Sequence, residues 1–243
     1  MRILITNDDG IISDGLLSLA KVLSKQNEIF VIAPDSEYSG AGHSLSFFKP
    51  INYTQVQIDK NCTYFKISGT PCDCVKFGVE YLLKLTPPDF IISGINNVAN
   101  LGTDVVYSGT INAAMEGSIL GIKSIAVSCD VLNNDYTFCN QFIAKNLDTF
   151  VELIKNCSMV LSINIPSKTP KGIKFVKVGN RKFFNEYQFV KERGYILTGY
   201  PVNTQNDDDC DVVQFAKGYI TISPIKVEYN DFINLERLKK VQL

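Results

Sequence analysis

Five apolar runs limit the folds open to this chain more than any other feature. "RILIT" (Arg2 to Thr6), "EIFVIAP" (Glu28 to Pro34), "PDFIISGIN" (Pro88 to Asn96), "KSIAVSC" (Lys123 to Cys129) and "MVLSINIP" (Met159 to Pro166) are rich in β-branched residues and lack the polar alternation of a half-solvated strand. Strands apolar on both faces belong inside a parallel sheet, which needs helices to cover it. The intervening stretches supply them: Leu16, Leu19, Ala20 and Leu23, then Val75, Val79, Leu82 and Leu83, then Ile111, Ala114, Met115, Ser118 and Ile119 recur at helical spacing, and a further helix is expected from Thr137 to Asn156. Strand and helix alternate, so the expectation is a doubly wound α/β sheet with right-handed crossovers.

From about Lys171 the rhythm changes. "GIKFVKVGNRKFFNEYQFVKERGYILTGYP" alternates aromatic, apolar and charged residues in strand fashion, and "GYITISPIKVEYNDF" supplies one more strand. We therefore divide the chain into a catalytic core, 1–170, and a β-hairpin extension with a returning strand and C-terminal segment, 171–243, within one domain. The extension is poor in residues for a core of its own and is expected to pack on a partner subunit. A formal net charge of -1 over 243 residues provides no field for gathering polyanions, so nucleic acid is not expected as a partner. No apolar run approaches the roughly 18 residues of a membrane span and the chain does not begin like a signal peptide. Seven irregularly spaced cysteines suit a reducing compartment. A cytoplasmic protein with free thiols and no membrane association is expected.

In open α/β sheets the functional crevice lies beyond the carboxyl ends of the strands. Four stretches fall there: Asn7-Asp8-Asp9-Gly10, the loop "APDSEYSGAGHS" with Ser39 and Gly40, Ser93-Gly94-Ile95-Asn96, and Tyr107-Ser108-Gly109-Thr110 at a helix start. Together they offer two carboxylates, a serine hydroxyl and an asparagine amide oxygen. Hard oxygen donors of this kind favour magnesium, manganese or calcium, and a cation would relieve the repulsion between adjacent Asp8 and Asp9. Ser108-Gly109-Thr110 adds unpaired backbone N–H groups and the positive end of a helix dipole, a setting for an anion. A cation beside a phosphate cradle suits phosphoryl transfer to water.

These motifs, "ITNDDGI", "APDSEYSGAGHSLS", "SGTPCDCV", "PDFIISGINNVANLGTDVVYSGTINAAMEG" and "GYITISP", resemble the survival protein SurE family over essentially the whole chain. The resemblance implies a Rossmann-like core with a swapped extension that makes homodimers or homotetramers. It also implies a metal-dependent 5'-nucleotidase that hydrolyses nucleoside 5'-monophosphates to nucleoside and phosphate, with 3'-nucleotides and polyphosphate as further substrates. Carried over by motif, one divalent cation per subunit, Mg²⁺ or Mn²⁺ with Ca²⁺ as another bound ion, is held by Asp8, Asp9, Ser39 and Asn96. From the residues themselves, Asp8 or Asp9 is expected to act on the water, and Gly40, Ser108, Gly109 and Thr110 are expected to hold the phosphate. The chain departs from the family pattern at Val98, where the SGIN loop usually continues with glycine, and His43 is replaced in many relatives.

Other residues invite chemistry that the pattern does not support. His43 is the only histidine, with no partner evident in the sequence, and loop packing or hydrogen bonding is its expected role. Cys72 and Cys74 lie roughly 200° apart around a helix and lack a second pair at zinc spacing. "NDDDCD" (Asn206 to Asp211) lacks the regular alternation of a calcium loop and reads as a solvated acidic loop. Asp73 and Asn112 stay outside the assigned site, and Glu116 is expected to pack on its helix. A haloacid-dehalogenase-type phosphatase would need Asp-x-Asp, whereas these carboxylates are adjacent. A nucleotide-binding module without turnover is the other alternative.

Overall fold

A computed structural model describes residues 1–202, 204–228, 235–236 and 238–239. In chain order the elements are β1 (Arg2–Thr6), α1 (Asp14–Leu23), β2 (Glu28–Pro34), β3 (Tyr53–Val56), β4 (Cys62–Ile67), α2 (Pro71–Phe77, followed by a π-helical turn over Gly78–Leu82) and β5 (Phe90–Asn96). A 3₁₀ turn (Gly102–Val106) then leads to α3 (Gly109–Ile119), β6 (Lys123–Cys129), α4 (Thr137–Ile154), β7 (Val160–Ile165) and β8 (Ile173–Phe175). The hairpin β9 (Lys182–Val190) and β10 (Gly194–Val202), α5 (Asp211–Ala216) and β11 (Ile220–Ile225) complete the order.

Nine strands form one sheet in the order β3-β4-β2-β1-β5-β6-β7-β11-β8, with β9 and β10 as a separate pair. The strands from β4 to β7 in that order are mutually parallel; β3 pairs antiparallel with β4, and β11 with β7. The doubly wound, mainly parallel arrangement expected from the five apolar runs is thus present. Strand alternation sorts the core: Ile3 and Ile5 of β1 join Leu16, Leu19, Ile143 and Phe150 of α1 and α4 on one face, while Leu4 joins Cys74, Val75 and Ala113 of α2 and α3 on the other. Full burial of each such aliphatic side chain contributes about 1.5–3 kcal/mol.

Helix α3 departs from the expected single stripe. Every residue from Gly109 to Gly117 is buried, whereas Ile119 of the expected stripe is 53% exposed. The reason is position: α3 packs against both α2 and strands β5 and β6, so it is covered on two sides. The expected returning strand is β11, and β8 also joins the main sheet; the end of the "GYITISPIKVEYNDF" stretch lies outside the described residues. The nine residue pairs of the β9–β10 arm run from Lys182↔Val202 to Val190↔Gly194.

Beside the crevice, the β5–β6 register breaks between Ser93 and Asn96. Gly94 sits there with φ +135°, and a Cβ on it would lie 2.3 Å from the Val127 carbonyl oxygen. Only glycine fits, because the backbone conformation and the contact both exclude a side chain. Gly94→Ala is expected to destabilise the fold by about 3 kcal/mol or more, read as a lower urea midpoint at unchanged m-value.

Candidate active site

The turn after β1 is closed by Asn7. Its Nδ2 donates to the Gly10 carbonyl at 3.1 Å and to Ser13 Oγ at 2.6 Å, and its Oδ1 accepts from the Gly10 N–H at 3.2 Å. This Asx-type turn frees Asp8 and Asp9 to face a crevice of about 430 Å³, which Ser39, Gly40, Asn96 and Ser108 also line. The structure therefore brings together all four residues assigned to the cation and two assigned to the phosphate.

Asp8 is the most constrained of them. Its Oδ1 accepts from Thr110 Oγ1 at 2.5 Å, and its carbonyl accepts from the Tyr38 N–H at 2.8 Å. A Cβ on Gly109 would lie 2.8 Å from Asp8 Cβ, so glycine is what lets the α3 N-terminus press against this carboxylate. Thr110 is fully buried and its hydroxyl is committed to Asp8, which places it behind the carboxylate, whereas Ser108 lines the crevice. Ser108 Oγ also caps α3, accepting from the Ile111 N–H at 3.1 Å.

Burial pushes the Asp8 carboxyl up despite the opposing Thr110 bond. The Asp9 carboxyl rises to about 6, first because burial strips its water, then because Asp8 and Glu37 are close negative charges. Ser39 Oγ donates to Glu37 Oε1 at 2.5 Å. Asn96 Nδ2 donates to the Val98 carbonyl at 2.7 Å, which leaves Oδ1 as the oxygen free to ligate. These donors fit a hard cation: hard oxygens around one crevice and a surplus of negative charge that a cation would offset. Among the described residues no three His, Cys, Asp or Glu side chains converge on a metal position, so such an ion needs Ser39 and Asn96 as well as the aspartates.

Several residues depart from their sequence expectations. His43 has a partner after all: its Nε2 lies 2.8 Å from Glu116 Oε2, and Lys76 Nζ donates to Glu116 Oε1 at 3.1 Å. Burial raises the Glu116 carboxyl, but these two neighbours outweigh it and hold it below the usual range. The His43 loop is thereby tied to the middle of α3, the hydrogen-bonding role expected of it. Asp73 completes a capping box with Thr70 on α2 and accepts from the Ser46 N–H at 2.9 Å. Asn112 donates to the carbonyls of Val105 and Ser108. Cys72 and Cys74 are buried free thiols, pushed up by burial, and all seven cysteines are free.

The acidic loop divides in two. Asp207, Asp208 and Asp209 are exposed and pair with Lys177 or Lys217, as a solvated loop should. Asp211 is instead buried, accepting from the N–H groups of Gly102 at 2.9 Å and Gly179 at 2.7 Å. Glu37 and Asp104 also line the crevice, from within the quoted stretches but not singled out there, whereas Phe183, from the distant arm, carried no sequence signal. Tyr107, inside the quoted helix-start motif, also lines the crevice.

The chain matches the family model described as survival protein SurE over residues 3–185. It is 41% identical to a 5'-nucleotidase SurE of Pelotomaculum thermopropionicum, over 99% of this chain and 95% of that protein. A 5'-nucleotidase SurE of Pseudothermotoga lettingae is 39% identical over 100% of this chain and 95% of its own length. The crystal structure of the SurE protein from Aquifex aeolicus superposes with a TM-score of 0.78 at 32% identity, covering 98% of each chain. Matched by the family model across well over half of its length and by these relatives over nearly all of it, the chain belongs to the survival protein SurE family.

Proposed function

We propose that this protein is a 5'-nucleotidase, a phosphomonoesterase that uses a divalent cation to hydrolyse nucleoside 5'-monophosphates to nucleoside and phosphate. The observation that carries the reading is the pair Asp8 and Asp9, desolvated side by side in a crevice with Ser39 and Asn96, against the N-terminus of a helix. The curated relatives bearing the 5'-nucleotidase name support the substrate class.

Asp8, Asp9, Ser39 and Asn96 would hold the ion, Mg²⁺ or Mn²⁺ by the hardness of the donors. When bound, the cation supplies Lewis-acid polarisation of the phosphate and offsets charge developing in the transition state. Asp8 is fixed by Thr110 and orients its free oxygen toward the crevice. Asp9 orients the attacking water and takes up its proton. The Ser108 hydroxyl and the amide of Gly40, which line the crevice, would present hydrogen-bond donors to the remaining phosphate oxygens, and the α3 N-terminus at Gly109 and Thr110 adds its positive dipole from behind Asp8.

The arm exposes Phe184, Tyr187, Phe189, Tyr195, Leu197 and Tyr200, an apolar strip too large to leave in water on a monomer. Burial against a second copy, as a homodimer or homotetramer, accounts for it. Among the described residues no helix is long and apolar enough to cross a membrane; the seven free cysteines suit a reducing compartment, and on that ground we assign the enzyme to the cytoplasm.

Phosphate release from 5'-nucleoside monophosphates should require Mg²⁺ or Mn²⁺, stop with EDTA, and fall more than about 100-fold in Asp8→Asn and in Asp9→Asn. Retention of activity by both variants would refute the site. The raised carboxyl of Asp9 makes its contribution to the ion-free fold greatest below pH 3.8 and lost as the pH rises past about 6. A divalent cation should therefore raise the melting temperature at pH 8, with the gain shrinking as the pH falls through about 6 and absent in Asp9→Asn. Light scattering at micromolar concentration should give a dimer or tetramer, shifted toward monomer by Tyr187→Ser with Phe189→Ser; a wild-type monomer would remove the arm's assigned role.

A further inference from the structure

The arm joins the body through a polar joint beside the crevice. Arg181 Nη1 donates to Asp104 Oδ2 at 2.6 Å, with both side chains largely covered, and the Thr103 hydroxyl donates to the Arg181 carbonyl. The Asp104 carbonyl accepts the N–H groups of Tyr107 and Ser108 at 3.0 Å each, so the ion pair is anchored on the turn that feeds the phosphate end of the crevice. On the other side, the Arg181 guanidinium carbon lies 5.2 Å from the ring centroid of Phe183, and Phe183 lines the crevice. Buried Asp211 bridges Gly102 to Gly179 and fixes the two segments that meet at this joint.

We infer that Phe183 is a specificity-determining residue for the nucleoside half of the substrate, and that Arg181 is a positioning residue that holds it there through Asp104. This rests on the nucleotidase reading above. Gly40 apart, the lining side chains are acids, amides and serine hydroxyls except at Val98, Tyr107 and Phe183, the side chains with apolar surface to offer a planar base. A ring offers π-contact to every base and hydrogen bonds to none, so the subsite favours a nucleoside over a bare sugar without choosing among bases. An aromatic face from the arm also explains why a catalytic crevice is built against the root of a hairpin whose remaining aromatics point elsewhere.

The experiment compares 5'-AMP with ribose 5-phosphate, which keeps the phosphoester and sugar and lacks the base. In the wild type, KM for ribose 5-phosphate should exceed that for AMP by about tenfold or more, the weight of one good stacking contact. Phe183→Ala and Arg181→Met should bring the two KM values within about threefold by raising that of AMP, leaving kcat for ribose 5-phosphate unchanged. Arg181→Lys, which keeps the charge on Asp104, should restore most of the difference. An unchanged ratio in Phe183→Ala overturns the inference, as does an equal loss on both substrates in Arg181→Met, the mark of a merely structural joint. Calorimetric binding of adenosine reads the same subsite without turnover: loss of binding in Phe183→Ala supports the inference even if the wild type hydrolyses neither ester, and unchanged binding overturns it.

Discussion

The approach of α3 to Asp8 is the contact on which the rest of the site depends. Two adjacent carboxylates in a crevice repel each other and lose hydration, and nothing in a bare loop would hold them there. Here Thr110 donates to Asp8, the helix dipole is aimed at the same carboxylate, and Gly109 removes the Cβ that would keep the helix away. The hydrogen bonds from Thr110 are outweighed by desolvation, and the Asp8 carboxyl stays raised with them in place. The fold thus holds the two carboxylates in an electrostatically unfavourable state, which a cation bound there would relieve.

The sheet order explains why this contact forms where it does. From β1 the chain moves through α1 to β2 on one side, and the strand on the other side of β1 is β5, reached only after β3, β4 and α2. The carboxyl ends of β1 and β5 therefore diverge into loops that leave in opposite directions, and a crevice opens between them. Asp8 and Asp9 come from one lip and Asn96 from the other. The 3₁₀ turn and α3 follow β5 and close the crevice from the side, while the loop after β2 brings Ser39 and Gly40 over it. Gly94 makes the β5 lip possible, since its irregular backbone carries Asn96 out of register with β6.

The sequence carried what periodicity and local chemistry can encode. Long runs such as "FIISGIN" are readable because both faces are buried, and the NDDG, SG and SGIN stretches are readable because each follows such a run. Strand β4 was not, since "CTYFKI" buries only Tyr64 and Ile67 fully and carries Lys66 outward near the sheet edge. Strand β8 lies in a stretch read as strand, but its three exposed residues carry nothing to say that it joins the main sheet, and α5 has six residues, too short for a periodic signal. Helix α3 misled in the other direction: its apolar stripe is real, but small residues on its other face let α2 approach, and no spacing distinguishes that from solvent. Phe183 and Asp8 are brought together by topology alone. Asp211 sits in a run of carboxylates that differ only in which of them the fold buries.

That burial of Asp211 separates the arm's root from its tip. The root is fixed by groups within one chain: Asp211 satisfies the amides of Gly102 and Gly179, Arg181 pairs with Asp104, and Asn206 accepts from the Asn180 N–H at 2.7 Å. Each bond is directional, so the root has one geometry relative to the crevice. The ladder beyond the root has the opposite character, with exposed aromatic rings paired across its own two strands, Phe184 with Tyr200 and Phe189 with Tyr195. A two-stranded ribbon of that kind is marginal in water and gains stability only by burial against another surface. The nine residue pairs of the ladder join that outer part of the arm to its root. Arg181 and Asp104 are a charged contact between the arm and the turn that carries Ser108, so the arm's root and the phosphate end of the crevice share one anchor.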